Sequence, residues 1–187
     1  LAQIARGQGV IFHTDAVQAA GQLSLDVEEL GVDLLSISGH KFYGPKGVGA
    51  LYIRDGVSVL PVQTGGSHER GLRAGTHNTP LIVGLATALK LAYDDLAQRT
   101  THYRKLRDRL ISGILNTLPN ALLTGHAENR LPSHASFVFE DIRSGSLVEL
   151  LDAKGIAASA ASACKTGSSE PSSVLLQLGY SRETAAA

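Results

Sequence analysis

Five residues near the start of the chain have types and spacing that could work together: Asp15, Gln18, Ser38, His40 and Lys41. Lys41 closes the run Ser38-Gly-His-Lys41 and is flanked by Gly39 and Gly44, which let a bulky ligand approach the backbone. A lysine amine beside hydroxyl and imidazole donors, with a carboxylate on another strand end, is the set that pyridoxal 5'-phosphate (PLP) requires. The amine holds the cofactor, the carboxylate keeps its ring nitrogen protonated, and the donors take the phosphate and the ring oxygen. Alone, each residue has an ordinary reading. A strand-end lysine is usually a solvated side chain, and an aspartate there is usually a turn or cap residue.

The elements that position these residues follow from the apolar pattern. Leu1–Arg6 reads as part of a helix, and Val10-Ile-Phe12 as a buried strand with the polar end His13-Thr-Asp15. Asp26 and Glu29 cap a short helix that Gly31 ends. Leu34-Leu-Ser-Ile37 is a second strand that delivers Ser38 to Lys41, and after the turn Gly44-Pro-Lys-Gly47 a third strand runs from Val48 to Ile53. Both polar clusters therefore fall at strand ends, the usual ligand position in open α/β sheets. Residues 61–79 are rich in Gly and Arg and read as a long functional loop. Thr79-Pro80 serves as N-cap and first-turn pair for a helical stretch that reaches about Leu118, with a break near Gln98-Arg-Thr100.

From Pro119 the pattern becomes a smaller α+β unit. Ala121–Leu123, Ser136–Glu140 and Ile156–Ala158 read as strands, Leu147–Ala153 as a helix closed by Gly155, and Ser169-Glu-Pro171 opens a last helix closed by Gly179. The expected division is residues 1–95 and 96–187. The only cysteine, Cys164, lies among small residues between a strand and that last helix, which excludes an internal disulfide. By its count alone it is either a small buried hydrophobe or a reactive thiol.

The whole-chain properties narrow the function classes. Lys+Arg and Asp+Glu both count 17, so no polybasic nucleic-acid surface or acidic arm is present. No apolar run approaches the roughly 18 residues that span a bilayer, and nothing reads as a signal peptide, so a cytoplasmic protein without membrane partners is expected. The seven histidines form no metal-ligand pattern, and His102, His126 and His134 read as surface residues. His68 lies in the Gly-rich loop. Gly44-Pro-Lys-Gly-Val-Gly49 lacks the Gly-Lys-Ser/Thr ending of an ATP loop and precedes a strand.

Phe12-His-Thr-Asp15-Ala-Val-Gln18, followed by Asp33 to Tyr52 with Ser38-Gly-His-Lys41-Phe-Tyr-Gly44-Pro-Lys-Gly47, resembles the cofactor segment of the cysteine desulfurases. These are class V aminotransferase-type members of the fold-type I PLP enzymes. Gly65-Gly-Ser-His-Glu-Arg70-Gly-Leu-Arg73-Ala-Gly75-Thr76 resembles the family's next signature. Arg130-Leu-Pro132, Gly155 to Cys164, and Ser169-Glu-Pro-Ser172 resemble the surroundings of its persulfide cysteine. The resemblance implies an α/β fold of fold-type I: part of the large-domain sheet, then a smaller C-terminal α+β domain. It implies Lys41 as Schiff-base lysine and proton shuttle, Asp15 on the pyridine nitrogen, Gln18 on the ring oxygen, and Ser38 and His40 on the phosphate. Thr76 would reach the phosphate of a neighbouring subunit, hence a homodimer with shared sites.

By the same resemblance Cys164 takes sulfur from substrate L-cysteine as a persulfide, leaving alanine, and passes it to an acceptor or scaffold protein in iron–sulfur assembly. Lys165 and Ser136 depart from the family pattern. The family's phosphate loop, its ring-stacking His and its substrate-carboxylate Arg have no counterpart here. The chain therefore reads as a large C-terminal piece lacking both ends, expected not to desulfurate cysteine at a normal rate alone. The rival readings are a related PLP enzyme, such as a selenocysteine lyase or transaminase, and a non-catalytic scaffold.

Overall fold

The computed structural model describes residues 1–140, 142, 144–160 and 170–186, which form two compact units, Leu1–Thr100 and Thr101–Ala187. In the first unit, α1 (Ala2–Gly7) precedes β1 (His13–Asp15), α2 (Val27–Leu30), β2 (Leu34–Ser38) and β3 (Gly49–Ile53). A 3-10 turn, Gly39–Phe42, joins the last two strands. The sheet order is β1-β2-β3. Strand β1 runs parallel to β2 with Asp15 opposite Ser36, and β3 returns antiparallel with Gly49 opposite Ser38.

The expected strand at Val10–Phe12 is corrected to His13–Asp15. Val10 and Ile11 are 57% and 55% exposed, and the Val10 amide donates to the Ala5 carbonyl instead of joining the sheet. Phe12 makes the transition. Its N–H donates to Asp33 Oδ2 at 2.9 Å, while its carbonyl accepts from the Asp33 amide. An apolar run at a sheet edge thus loses its ladder partner before its apolar composition changes.

Local chemistry sets the helix ends. Asp26 caps α2 by accepting from the Glu28 and Glu29 amides, and Gly31 ends it with a left-handed φ of 65°. Arg54 then ties α2 to the sheet. It donates to Glu28 and to the carbonyls of Val27 and Val32, and the bond to Glu28 above all raises its guanidinium pKa. The long helix α3 (Thr79–Asp94) is capped by Asn78, whose Oδ1 accepts from the Leu81 amide at 3.3 Å. Thr79 is therefore the first helical residue and not the cap. The helical stretch breaks at Asp95, ahead of the expected Gln98, and continues as α4 (Leu96–Thr117).

Two apolar clusters hold the first unit. One joins Ala16, Val32 and Leu35 under the sheet. The other joins Ala20, Phe42, Leu85 and Ala92, so that it fastens the 3-10 turn to α3.

In the second unit, β4 (Ala121–Leu123) pairs antiparallel with β5 (Phe137–Phe139), followed by α5 (Ser144–Asp152) and α6 (Ser173–Gln177). Val138 is 1% exposed at its centre. Buried Thr124 is satisfied by Ser136, whose hydroxyl lies 2.7 Å from its own. Arg130 donates to the carbonyls of Thr124, His126 and His134, which laces the intervening loop shut.

Two further expectations are corrected here. Ile156–Ala158 is not a strand: Ile156 is 52% exposed, and its amide closes α5 by donating to Leu151. Helix α6 starts after the cap Ser172, whose Oγ accepts from the Leu175 amide, so Glu170 and Pro171 precede it; Ser169 lies outside the described residues.

Candidate cofactor site

Parallel pairing of β1 and β2 brings their carboxyl ends to the same edge of the sheet. Asp15 is the last residue of β1 and Ser38 the last of β2. His40 and Lys41 follow at once on the 3-10 turn, and Gln18 lies in the turn after β1. Four of the five residues singled out by chemistry are thus collected by two strand ends and one turn. This is the crevice position expected of a ligand in an open α/β sheet.

The side chains are individually prepared. Asp15 Oδ1 accepts from the Val17 amide at 2.9 Å, which fixes the carboxylate over the turn. Ser38 Oγ lies 2.9 Å from His40 Nδ1. When the hydroxyl donates to Nδ1, the imidazole proton resides on Nε2, and that N–H is the donor left for a ligand. Lys41 is exposed, and among the described residues no carboxylate pairs with its amine.

The turn carrying Lys41 is glycine-walled. A Cβ on Gly39 would stand 3.0 Å from the Pro45 carbonyl, one on Gly44 2.9 Å from the Gly39 carbonyl, and one on Gly49 2.6 Å from the Ile37 carbonyl. Backbone therefore packs on backbone around the lysine turn. Tyr43 takes a left-handed φ of 67°, rare for a residue with a side chain. Its ring is 82% exposed, with the Arg99 guanidinium 5.7 Å from its centroid.

A free amine, a positioned carboxylate and a hydroxyl–imidazole pair at one sheet edge suit PLP: a condensing amine, a carboxylate for the ring nitrogen, and hydrogen-bond donors for a phosphate. The residues present fit the group. A metal reading has no such basis, since among the described residues no group of three or more His, Cys, Asp or Glu could hold an ion.

The remaining sequence candidates stand apart from this set. Thr76 is exposed on the loop before α3 and makes no described hydrogen bond to the strand-end residues. In the same loop Glu69 and Arg70 are consecutive left-handed residues (φ 49° and 58°), and His68 meets His77 edge-on at 5.4 Å. Cys164 lies outside the described residues. Sequence reasoning passes over His13 and Ser36, joined at 2.8 Å between Nε2 and Oγ. The signal for them is period two: His13 and Asp15 alternate onto one face of β1, as do Ser36 and Ser38 on β2.

Residues 1–182 match the aminotransferase class-V family, and the chain belongs to that family. The chain is 50% identical over 183 residues to a cysteine desulfurase IscS of Methanosarcina thermophila, covering 98% of this chain and 45% of the relative. It is 45% identical over 175 residues to the cysteine desulfurase NifS of Azotobacter vinelandii, covering 94% and 44%. The fold superposes on a NifS-like protein from Rickettsia africae with a TM-score of 0.89 at 27% identity, over 99% of this chain and 48% of that one. The chain thus spans under half the length of these relatives.

Proposed function

We propose that this chain forms part of a PLP-dependent cysteine desulfurase, in which the strand-end cluster Asp15–Ser38–His40–Lys41 holds the cofactor. The observation that carries this reading is the convergence of those side chains at the carboxyl ends of two adjacent parallel strands. Its support from similarity is the set of class-V relatives named cysteine desulfurase at 45–50% identity.

Bound PLP supplies an electron sink that makes the α-proton of an amino acid removable. The chain supplies the rest. Lys41 Nζ anchors the cofactor and then carries a proton to and from the substrate carbon skeleton. The Asp15 carboxylate holds a proton on the ring nitrogen by charge. Gln18 would donate to the ring oxygen, and Ser38 and His40 would hold the phosphate as a pair, the Ser38 hydroxyl donating to His40 Nδ1 and the His40 Nε2–H donating to the phosphate. Thr76 reaches the phosphate of a second copy, so the protein works as a homodimer.

Cys164 acts as a thiolate on the sulfur of the substrate cysteine. An S–S bond forms as the substrate C–S bond breaks, and the electron pair left on carbon is protonated to give alanine. The persulfide then passes to an acceptor protein. Among the described residues no helix is long and apolar enough to cross a membrane, and we place the reaction in the cytoplasm, serving iron–sulfur assembly.

The test uses the natural gene product loaded with PLP. L-cysteine should give alanine together with a persulfide on Cys164, and Cys164→Ser should abolish both at unchanged cofactor content. Undiminished desulfuration in Cys164→Ser would overturn the reading in favour of a lyase that takes sulfur directly from the substrate.

A further inference from the structure

Lys41 is exposed and unpaired among the described residues, so no contact of its own fixes where its amine points. Its direction is inherited from the backbone of the turn Gly39–Phe42. What holds that turn is therefore a question about function.

Three sets of contacts hold it. The Gly39 amide donates to the Val48 carbonyl and the Gly44 amide to the Gly39 carbonyl, both at 2.9 Å, closing the turn on itself. Phe42, 2% exposed, enters the cluster of Ala20, Leu85 and Ala92 and anchors one side of the turn. The residues that follow the turn, Gly44 and Pro45, rest on the same helix, α3. A Cβ built on Gly84 would lie 2.6 Å from Pro45 Cγ and 3.1 Å from Pro45 Cδ, and one built on Gly44 would lie 3.2 Å from Ala88 Cβ.

Gly84 has no backbone reason to be glycine. It lies inside α3 and has no positive φ, so the helix itself would gain about 0.5–1 kcal/mol from alanine. Its glycine is explained by the close approach of the Pro45 ring. That ring cannot swing aside like the end of a flexible side chain, because proline is closed onto its own backbone.

We propose that Gly84 is a positioning residue for Lys41: α3 offers a one-atom-deep seat for Pro45, and that seat sets the height and direction of the cofactor lysine. The inference rests on the reading of Lys41 as the cofactor lysine. Adding a methyl group at position 84 pushes Pro45 outward. Helix α3 is secured by Leu85 and Ala92 in the core, so the shorter turn yields. The lysine amine then moves by a fraction of the displaced distance. A misplacement near 1 Å in a reacting group costs about a hundredfold in productive geometry.

The experiment compares the wild type, Gly84→Ala, Pro45→Ala, the double variant Gly84→Ala/Pro45→Ala, and Lys41→Ala, each in the natural gene product. Cofactor affinity is measured by titrating PLP, together with the pH midpoint of the visible band of the bound cofactor and far-UV circular dichroism. Gly84→Ala is expected to keep native helicity, to bind PLP about tenfold or more weakly, and to shift the pH midpoint. The double variant, which lacks the ring atoms that clash, is expected to recover affinity to within about threefold of wild type.

A merely structural contact would lower the melting temperature without moving the pH midpoint. Wild-type affinity and midpoint in Gly84→Ala would overturn the proposal, as would failure of the double variant to recover. Should Gly84→Ala not fold, Pro45→Ala decides, since it empties the seat without a clash: unchanged affinity and midpoint there refute the inference. Lys41→Ala separates the two readings. A cofactor still covalently held in that variant would sink the assignment of Lys41 itself, whereas its loss beside a normal Gly84→Ala would sink only the seat.

Discussion

Truncating Phe42 to alanine tests whether the lysine-bearing turn is held by packing or only by its own hydrogen bonds. The ring is 2% exposed, and its buried neighbours are Ala20, Leu85 and Ala92. Two of these three are alanines, whose side chains have no rotamers with which to fill the space the ring leaves. Phe→Ala changes in cores cost about 3–5 kcal/mol, and the partly buried Leu25, Ile37, Val48 and Leu89 packed against the cluster can close on part of the space, which puts this one toward the lower part of that range. With PLP removed from all the proteins compared, Lys41→Ala, one residue away on an exposed side chain, should change stability by no more than about 0.5 kcal/mol.

The assay is urea unfolding of the natural gene product followed by far-UV circular dichroism, with stability loss read from the midpoint shift at constant slope. Phe42→Ala should also weaken PLP binding, while Lys41→Ala should lose covalent attachment with its fold intact. A loss below about 1.5 kcal/mol in Phe42→Ala would refute the packing argument, because it would match truncation of a ring that is not enclosed.

Two further outcomes concern pH and subunit exchange. The His134 side chain reaches solvent, yet partial desolvation, and then the Arg130 charge, lower its imidazole pKa. The unfolded chain therefore binds this proton more readily than the folded one, so the stabilising contribution is complete above the unfolded value of about 6.5 and is lost as pH falls through the folded value. Thermal melts should show a small drop on acidification that is reduced in His134→Gln; parallel slopes in the two proteins would contradict this. If Thr76 serves the neighbouring subunit's site, mixed dimers of Lys41→Ala and Thr76→Ala chains contain one intact site. They should recover up to about half of the wild-type activity per dimer, whereas sites confined to one chain would give no recovery beyond that of the separate variants.

Much of this site is legible in the sequence because its signals are local. The apolar run Leu34–Ile37 delivers Ser38 to Lys41 as expected, and the Asp26 cap and the left-handed Gly31 bound α2 where their side-chain chemistry puts them. What the sequence hides is the identity of partners. Val10 and Ile11 have strand composition, but an edge strand ends where its neighbour does, and Ile156 has no neighbour strand among the described residues. Asn78 and Thr79 are both good capping residues, and only the bond to the Leu81 amide distinguishes them. The seat of Pro45 on Gly84 joins a loop to a helix far along the chain, and a glycine within a helical pattern gives no hint of what presses against it.

Everything proposed for the strand-end cluster depends on Lys41 carrying the cofactor, which covalent trapping can locate. The natural gene product is saturated with PLP, reduced with borohydride, digested, and analysed by mass spectrometry. A stable pyridoxyl group is expected on Lys41 Nζ, within the peptide that contains Ser38-Gly-His-Lys41, and none in Lys41→Ala. A pyridoxyl group on Lys46 or another lysine with Lys41 unmodified, or undiminished labelling in Lys41→Ala, would contradict it.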